Sequence, residues 1–464
     1  MTHEERYQQI QLDVLKKIRP TKEEREILES KFAEISSKIE KSLQDGNIQA
    51  KIELAGSLSR DTWISGSMDI DIFVILPYES ALSPEDLLKE IKKGIKLDWI
   101  KKHAKHPYLY AVTDGVVIEI LPSYEFKPGR EIRSAVDRSP RHKQFIKQNL
   151  LVGSNDEVRL LKQFMKGTET YGAEIKVHGF SGYLVELLII LNDGKFLNVL
   201  KNANQLKDAE IAFQKDFVID TKKFKDDTFI MIDPTDENRN VASAVKEQTL
   251  SNFIAAAQNY LKNPSKDFFF PKQIEITKQK LQIMKDSTLN ICAIFHKEPK
   301  LADDILWGQL RRFEKSLFKY LDKNRIEPIK VDSIVSNNEI ITLILTQKQH
   351  TPYLQWSDGP PVNNDAQWEF LNKYSRREDV VFGPAIIEYR WKVLLSKKPN
   401  YLEDLIRLAI KGKTIALPSH LDLKLKSIEI MCKEDLFDRF SENKARLSYL
   451  YKLLLGKPSY LITE

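Results

Sequence analysis

The stretch Gly56-Ser57-Leu58-Ser59-Arg60-Asp61-Thr62-Trp63, followed by Gly66-Ser67-Met68-Asp69-Ile70-Asp71-Ile72-Phe73-Val74, decides how this chain is read. Side chains alternate along a strand, so Asp69 and Asp71 face one side while Ile70, Ile72 and Val74 face the other. The two carboxylates then stand roughly 7 Å apart at their α-carbons, close enough to share or straddle hard cations such as Mg2+. Gly56 lets a phosphate approach the backbone, and Ser57, at a strand-to-helix turn, adds a hydroxyl beside exposed N–H donors. A bare Asp-X-Asp is common on solvated strands. Here the pair interrupts an otherwise apolar strand a short step after a Gly-Ser turn, and carboxylates in that setting call for a cation. Glu119 interrupts the apolar run Val116-Val117-Ile118-Glu119-Ile120-Leu121 in the same way and is the expected third ligand.

Outward from this core, Thr21 to Glu24 reads as a capping box, with Ile27, Leu28, Phe32, Ile35, Ile39 and Leu43 following at helical spacing. Strands are expected at 48–55, at 69–76 ending on Pro77, and at 116–121 ending on Pro122. After Gly153 the pattern turns helical. Ser154 to Glu157 reads as a second capping box, Ser181 caps a further helix, and 217–219 and 229–232 read as short strands framing a loop. A helix over 250–261 stops at Pro264, strands at 290–295 and 340–345 flank a helix over 304–321, and 350–364 is the best linker.

A chain of 464 residues exceeds one compact core, and its 42% hydrophobic and 30% charged content is that of a globular protein. The longest apolar run, Leu184 to Leu191, is short and holds Glu186, so no bilayer span is expected. No apolar signal stretch opens the sequence. Cys292 and Cys432 lie far apart, which argues against a disulfide framework or a zinc site, and a cytoplasmic address follows by elimination. The net charge of +6 permits a nucleic-acid partner without demanding one. Basic groupings at 138–147, 201–207 and 411–413 read, taken alone, as solvated faces.

Gly-Ser, a short spacer, Asp-X-Asp and a later strand carboxylate resemble the polymerase-beta-type nucleotidyltransferase superfamily. A closer resemblance, to the archaeal class I CCA-adding enzymes, is carried by five ordered motifs: Ser134 to His142, Glu157 to Lys162, Tyr171 to Glu174, Gly179 to Tyr183 and Asp233 to Val241. Past about residue 260 the likeness lies mainly in length and element order. It implies an α+β multidomain fold: a nucleotidyltransferase head over 1–150, a mainly helical neck that recognises the base over 151–264, and an α/β body (265–365) and tail (366–464) that bind tRNA.

The resemblance further implies template-independent addition and repair of the tRNA 3′-terminal CCA from CTP and ATP, by two-metal in-line transfer that releases pyrophosphate. Gly56, Ser57 and Arg60 would hold the triphosphate, and Asp69, Asp71 and Glu119 the Mg2+ ions. His142, Lys162 and Tyr171 match residues that contact nucleotide phosphates and ribose, and His106 matches another nucleotide-proximal histidine. The third carboxylate is usually an aspartate; Glu119 is one methylene longer. Arg239 is the candidate base reader: arginine carries only donors, and cytosine N3 and adenine N1 are bare acceptors, whereas uracil N3 and guanine N1 carry hydrogens. The partners are the tRNA acceptor arm and 3′ end, with the basic stretches 407–413 and 424–426, Arg446 and Lys452 as expected contacts; a homodimer is left open. The rivals are a poly(A) or oligoadenylate polymerase of the same superfamily and a non-catalytic tRNA-binding protein. The Asp233 and Tyr171 motifs oppose the first, and the intact carboxylates oppose the second.

Overall fold

Threonine opens both N-terminal helices. Thr2 precedes α1 (His3–Ile18) and Thr21 precedes α2 (Lys22–Asp45). In each, the threonine hydroxyl accepts from the amide three residues on, and that residue, Glu5 or Glu24, accepts from the threonine amide. The reciprocal pair satisfies donors that a helix start leaves open. The computed structural model describes residues 2–103, 107–127, 130–214, 219–421 and 427–462. The chain divides into two units, Met1–Gln273 with Pro458–Glu464, and Ile274–Lys457.

In the first unit, β1 (Lys51–Leu54), β2 (Asp69–Leu76), α3 (Pro84–Gly94), β3 (Ile100–His103), β4 (Pro107–Thr113) and β5 (Val116–Tyr124) follow α2. The strands make one sheet in the order β1-β2-β5-β4-β3, with β2 and β5 parallel. Ile70, Ile72, Val74 and Leu76 bury the inner face of β2 against Leu28, Ile35 and Ile39 of α2 and Leu87 and Ile91 of α3. That burial fixes the register, because a slip of one residue would turn Asp69 and Asp71 inward. Pro122 does not end its strand as the sequence suggested: β5 continues through it to Tyr124, with Pro122 opposite Val74. A proline forfeits one donor but suits extended backbone.

The remainder of this unit holds α4 (Ser139–Asn149), α5 (Asn155–Gly167), α6 (Gly182–Leu191), α7 (Phe196–Lys201), β6 (Glu210–Ile211), the hairpin β7 (Ile230–Asp233) and β8 (Asp236–Asn240), and α8 (Glu247–Lys262). Its core is aromatic: Phe164 meets Phe196, Phe253, Tyr260 and Phe269 edge-on at centroid distances of 5.6 to 6.3 Å. Helix α1 buries Tyr7, Ile10, Val14 and Leu15 in this same core, and Tyr460 stacks on Phe268 at 4.5 Å. The expected boundary at 150/151 therefore separates α1 from the core it helps to build. Ser154 makes no cap hydrogen bond, contrary to the expected capping box. Its hydroxyl donates instead to the Gly194 carbonyl, and Glu157 accepts from the Phe196 amide, so both tie α5 to the junction between α6 and α7.

In the second unit, α9 (Lys278–Lys285), β9 (Asn290–Lys297), α10 (Asp303–Lys323), β10 (Pro328–Ser336) and β11 (Glu339–Thr346) come first. Then follow β12 (Leu354–Pro361), α11 (Gln367–Tyr374), β13 (Val380–Ile387), β14 (Arg390–Ser396), α12 (Leu402–Lys411), β15 (Glu429–Cys432), α13 (Glu434–Ser441) and α14 (Lys444–Leu455). One sheet runs β10-β11-β9-β15 and another β12-β14-β13. The expected linker over 350–364 holds β12, and the expected boundary at 365/366 falls between strands that share a sheet. Antiparallel pairing sets Cys432 opposite Cys292, and the two form a disulfide across a separation of 140 residues. Sequence distance argued against that bond; sheet register reverses the argument. Arg446, expected to meet tRNA, is buried and donates to the Ser336 carbonyl. Residues 424–426 and Phe217 lie outside the described residues. Among the described residues, no helix is long and apolar enough to cross a membrane.

Candidate active site

Asp69 and Asp71 share the outer face of β2, and parallel pairing sets Glu119 of β5 directly beside Asp71. Burial raises the Asp71 carboxyl above its usual range, and the neighbouring Asp69 raises it further. Asp69 is raised by burial against the opposing pull of Lys166. Two desolvated acids that repel one another are the donor set a hard divalent cation relieves. Among the described residues no three His, Cys, Asp or Glu side chains converge as a ready-made metal cage. The Asp pair is thus the nucleus of the site, and Glu119 adjoins it by register. Gly56 has φ +61°, and a Cβ there would lie 1.6 Å from Asp71 Oδ2. The glycine therefore makes room for this carboxylate, whereas the sequence suggested room for a phosphate.

Ser57 starts a single 3-10 turn, Leu58–Arg60, and its carbonyl accepts from the Thr62 amide at 3.0 Å. The turn is held from two sides. Asn155 Nδ2 donates to the Arg60 and Asp61 carbonyls, and Arg159 donates to the Trp63 carbonyl at 2.8 Å while pairing with Asp61. Glu24, besides closing its own capping box, accepts from Ser65 Oγ and the Gly66 amide just ahead of Asp69. Lys162 is not on a solvated face: it is 3% exposed and donates to the Thr62 carbonyl at 2.9 Å. Burial brings its ammonium down to about 8, with Glu186 opposing the shift. Burial, then Glu186, raises the Tyr171 hydroxyl, so it stays a donor. A Cβ on Gly182 would meet Tyr171 Oη at 3.1 Å and Lys162 Cε at 3.8 Å, so these two side chains converge at the start of α6.

Asp233 at the end of β7 gathers a second group. Its Oδ2 lies 2.8 Å from His142 Nε2 and 2.6 Å from Arg239 Nη1, and its Oδ1 accepts from the Thr235 amide at 2.9 Å. Burial would raise this carboxyl, but His142, Thr235 and Arg239 outweigh it and hold the group well below its usual range. His142 sits on α4 rather than in a loop, stacked on Tyr183 at 3.9 Å, and burial lowers its pKa despite Asp233. A neutral His142 therefore donates Nε2–H to the aspartate. Arg239 lies on β8, half-exposed, and pairs with Asp233, while Asp236 pairs with Arg138. His106 lies outside the described residues. Sequence reading missed Asp233, Glu186, Thr62, Asn155 and Arg159 as parts of the site. For Glu186 the signal was present: an acid inside an apolar run, the same cue that singled out Glu119.

A mixed sheet with paired strand carboxylates beside a Gly-Ser turn defines a nucleotidyltransferase, and residues 36–142 match the nucleotidyltransferase domain model. Residues 156–270 match the model of the tRNA nucleotidyltransferase second domain, and 287–432 that of the CCA-adding enzyme C-terminal domain. The CCA-adding enzyme of Pyrobaculum neutrophilum is 33% identical over 407 residues, covering 86% of this chain and 93% of its own. That of Archaeoglobus fulgidus is 34% identical, covering 82% of this chain and 86% of its own. The chain belongs to the CCA-adding enzyme family. Enzymes with this catalytic domain require a divalent metal ion.

Proposed function

We propose that this protein rebuilds the 3′-terminal CCA of tRNA, adding C, C and A from CTP and ATP with release of pyrophosphate. The observation that carries the reading is the pair Asp69 and Asp71 on one strand face, beside a turn whose arginine, Arg60, and whose neighbour Lys162 form a cationic wall. Asp69 and Asp71, with Glu119 alongside, would hold Mg2+, which when bound supplies Lewis-acid charge at the triphosphate and acidifies the attacking hydroxyl. Ser57, Arg60 and Lys162 bind the triphosphate and offset its growing charge as the α-phosphorus is attacked. Glu119, on the side of the attacking hydroxyl, would bind that metal or accept the proton of the tRNA 3′-hydroxyl. Tyr171 donates its hydroxyl to phosphate or ribose.

Arg239 reads the base edge. Asp233 takes one of its N–H groups and thereby orients the remaining donors toward the Watson–Crick ring nitrogen, a bare acceptor in cytosine (N3) and adenine (N1) that carries a hydrogen in uracil (N3) and guanine (N1). Residues 274–457 bind the tRNA acceptor arm. The test is incubation of tRNA lacking its last three nucleotides with CTP or ATP singly. CTP alone should add two residues and ATP alone none; a run of adenylates from ATP alone would make the protein a poly(A)-type polymerase instead.

A further inference from the structure

Helix α6 carries one charged residue among its ten, Glu186, and that residue is 0% exposed. A carboxylate buried so completely is costly unless cations and donors surround it. Its two oxygens lie 3.0 and 2.9 Å from Arg60 Nε, its Oε1 accepts the Thr62 hydroxyl, and Lys162 Nζ stands 3.9 Å away. A single acid, more than 120 positions along the chain from Arg60, therefore holds the 3-10 turn, the segment after it and the α5 lysine together. The grip on Arg60 is through Nε, which leaves the terminal N–H groups of its fork for an incoming anion.

We propose that Glu186 is a positioning residue for the triphosphate, presetting Arg60 and Lys162 so that nucleotide meets cations already in place. This rests on the reading of Arg60 and Lys162 as phosphate-binding groups. Preset cations need not be gathered and desolvated at the moment of binding. Glu186 also sustains the Lys162 charge: burial, Arg60, and Lys166 and Arg159 on the lysine's own helix all lower its pKa, and Glu186 opposes them. The Tyr171 hydroxyl nearby stays protonated.

The test is equilibrium CTP binding by the full-length protein without tRNA, across pH, for wild type, E186Q and K162M, with a thermal melt of each. E186Q should weaken CTP binding by about tenfold or more and move the alkaline loss of affinity to lower pH, with tRNA affinity unchanged. Wild-type CTP affinity and pH profile in E186Q, alongside weak binding by K162M, would overturn the proposal and leave the reading of Lys162 standing. Full affinity in K162M would overturn that reading itself. Should E186Q not fold, E186D decides. With the charge kept on a shorter arm, it should lose CTP affinity several-fold while its alkaline limb stays put; undiminished affinity would contradict the proposal.

Discussion

An added methyl at Gly56 would lie 1.6 Å from Asp71 Oδ2, so the turn that begins the phosphate side and the strand that carries the acids are fitted to one another through a missing Cβ. The glycine also sits at φ +61°, where an L-residue costs about 1–2 kcal/mol. G56A should therefore displace Asp71 or the turn, and misplacement near 1 Å costs about 100-fold in rate. Nucleotide incorporation should fall by that order while tRNA affinity is kept. Near-normal turnover in G56A would contradict the fitted contact.

Selectivity should reside in Arg239. R239K preserves a charge that can still pair with Asp233, but it loses the planar fork that the proposed reading shares between the aspartate and the base. Discrimination should fall by about 1–3 kcal/mol, seen as lower CTP and ATP efficiency with relatively more UTP misincorporation. D233N, which releases the fork, should show the same pattern more weakly. A uniform loss across all four nucleotides in R239K would assign the arginine to phosphate or structure.

Nucleotide affinity should depend on pH through Lys162. Burial lowers its pKa to about 8 in the nucleotide-free protein. Below that value the group is already a cation and affinity should be flat. Above it, binding a triphosphate must first recover a proton, so affinity should fall by at most about tenfold per pH unit. In K162R, whose guanidinium stays charged, this limb should vanish. Flat CTP affinity across pH 8 in wild type would remove Lys162 from the phosphate site.

Reduction of the Cys292–Cys432 bond should destabilise residues 274–457 alone. The bond closes a loop of 140 residues, for which a chain-entropy argument gives about 3–5 kcal/mol. Denaturant melts of wild type with and without reductant, and of C292S, should differ by that order, while CTP binding by the other unit is unchanged. Coincident melts would show that the bond contributes nothing.

Local pattern revealed much of this architecture. Alternation across Asp69 to Val74 fixed the faces of β2, and the Thr21 box and the Ser181 cap formed as read, because each depends only on near neighbours. What stayed hidden depends on residues far apart. The Cys292–Cys432 register is a product of the completed sheet, and α1 shares its core with residues past 158. Ser154 and Glu157 had the spacing of a capping box, yet tertiary partners at Gly194 and Phe196 took both side chains. At the site, the acids were legible because charge in an apolar strand is conspicuous. Asp233 stands inside a motif whose spacing hides its role, since a carboxylate holding both His142 and Arg239 exists only once α4 and the β7–β8 hairpin are side by side.

The 3′ ends that the enzyme makes decide whether it builds CCA and stops. Three tRNAs, lacking CCA, CA or A, would be incubated with CTP, ATP and Mg2+, and the product ends sequenced, with D69A and D71A as controls. Growth by three, two and one nucleotides is expected, each product ending in CCA and stopping there, with no incorporation by either variant although both bind tRNA. Extension beyond CCA, homopolymeric tails, or turnover that survives in D71A would contradict the proposed function.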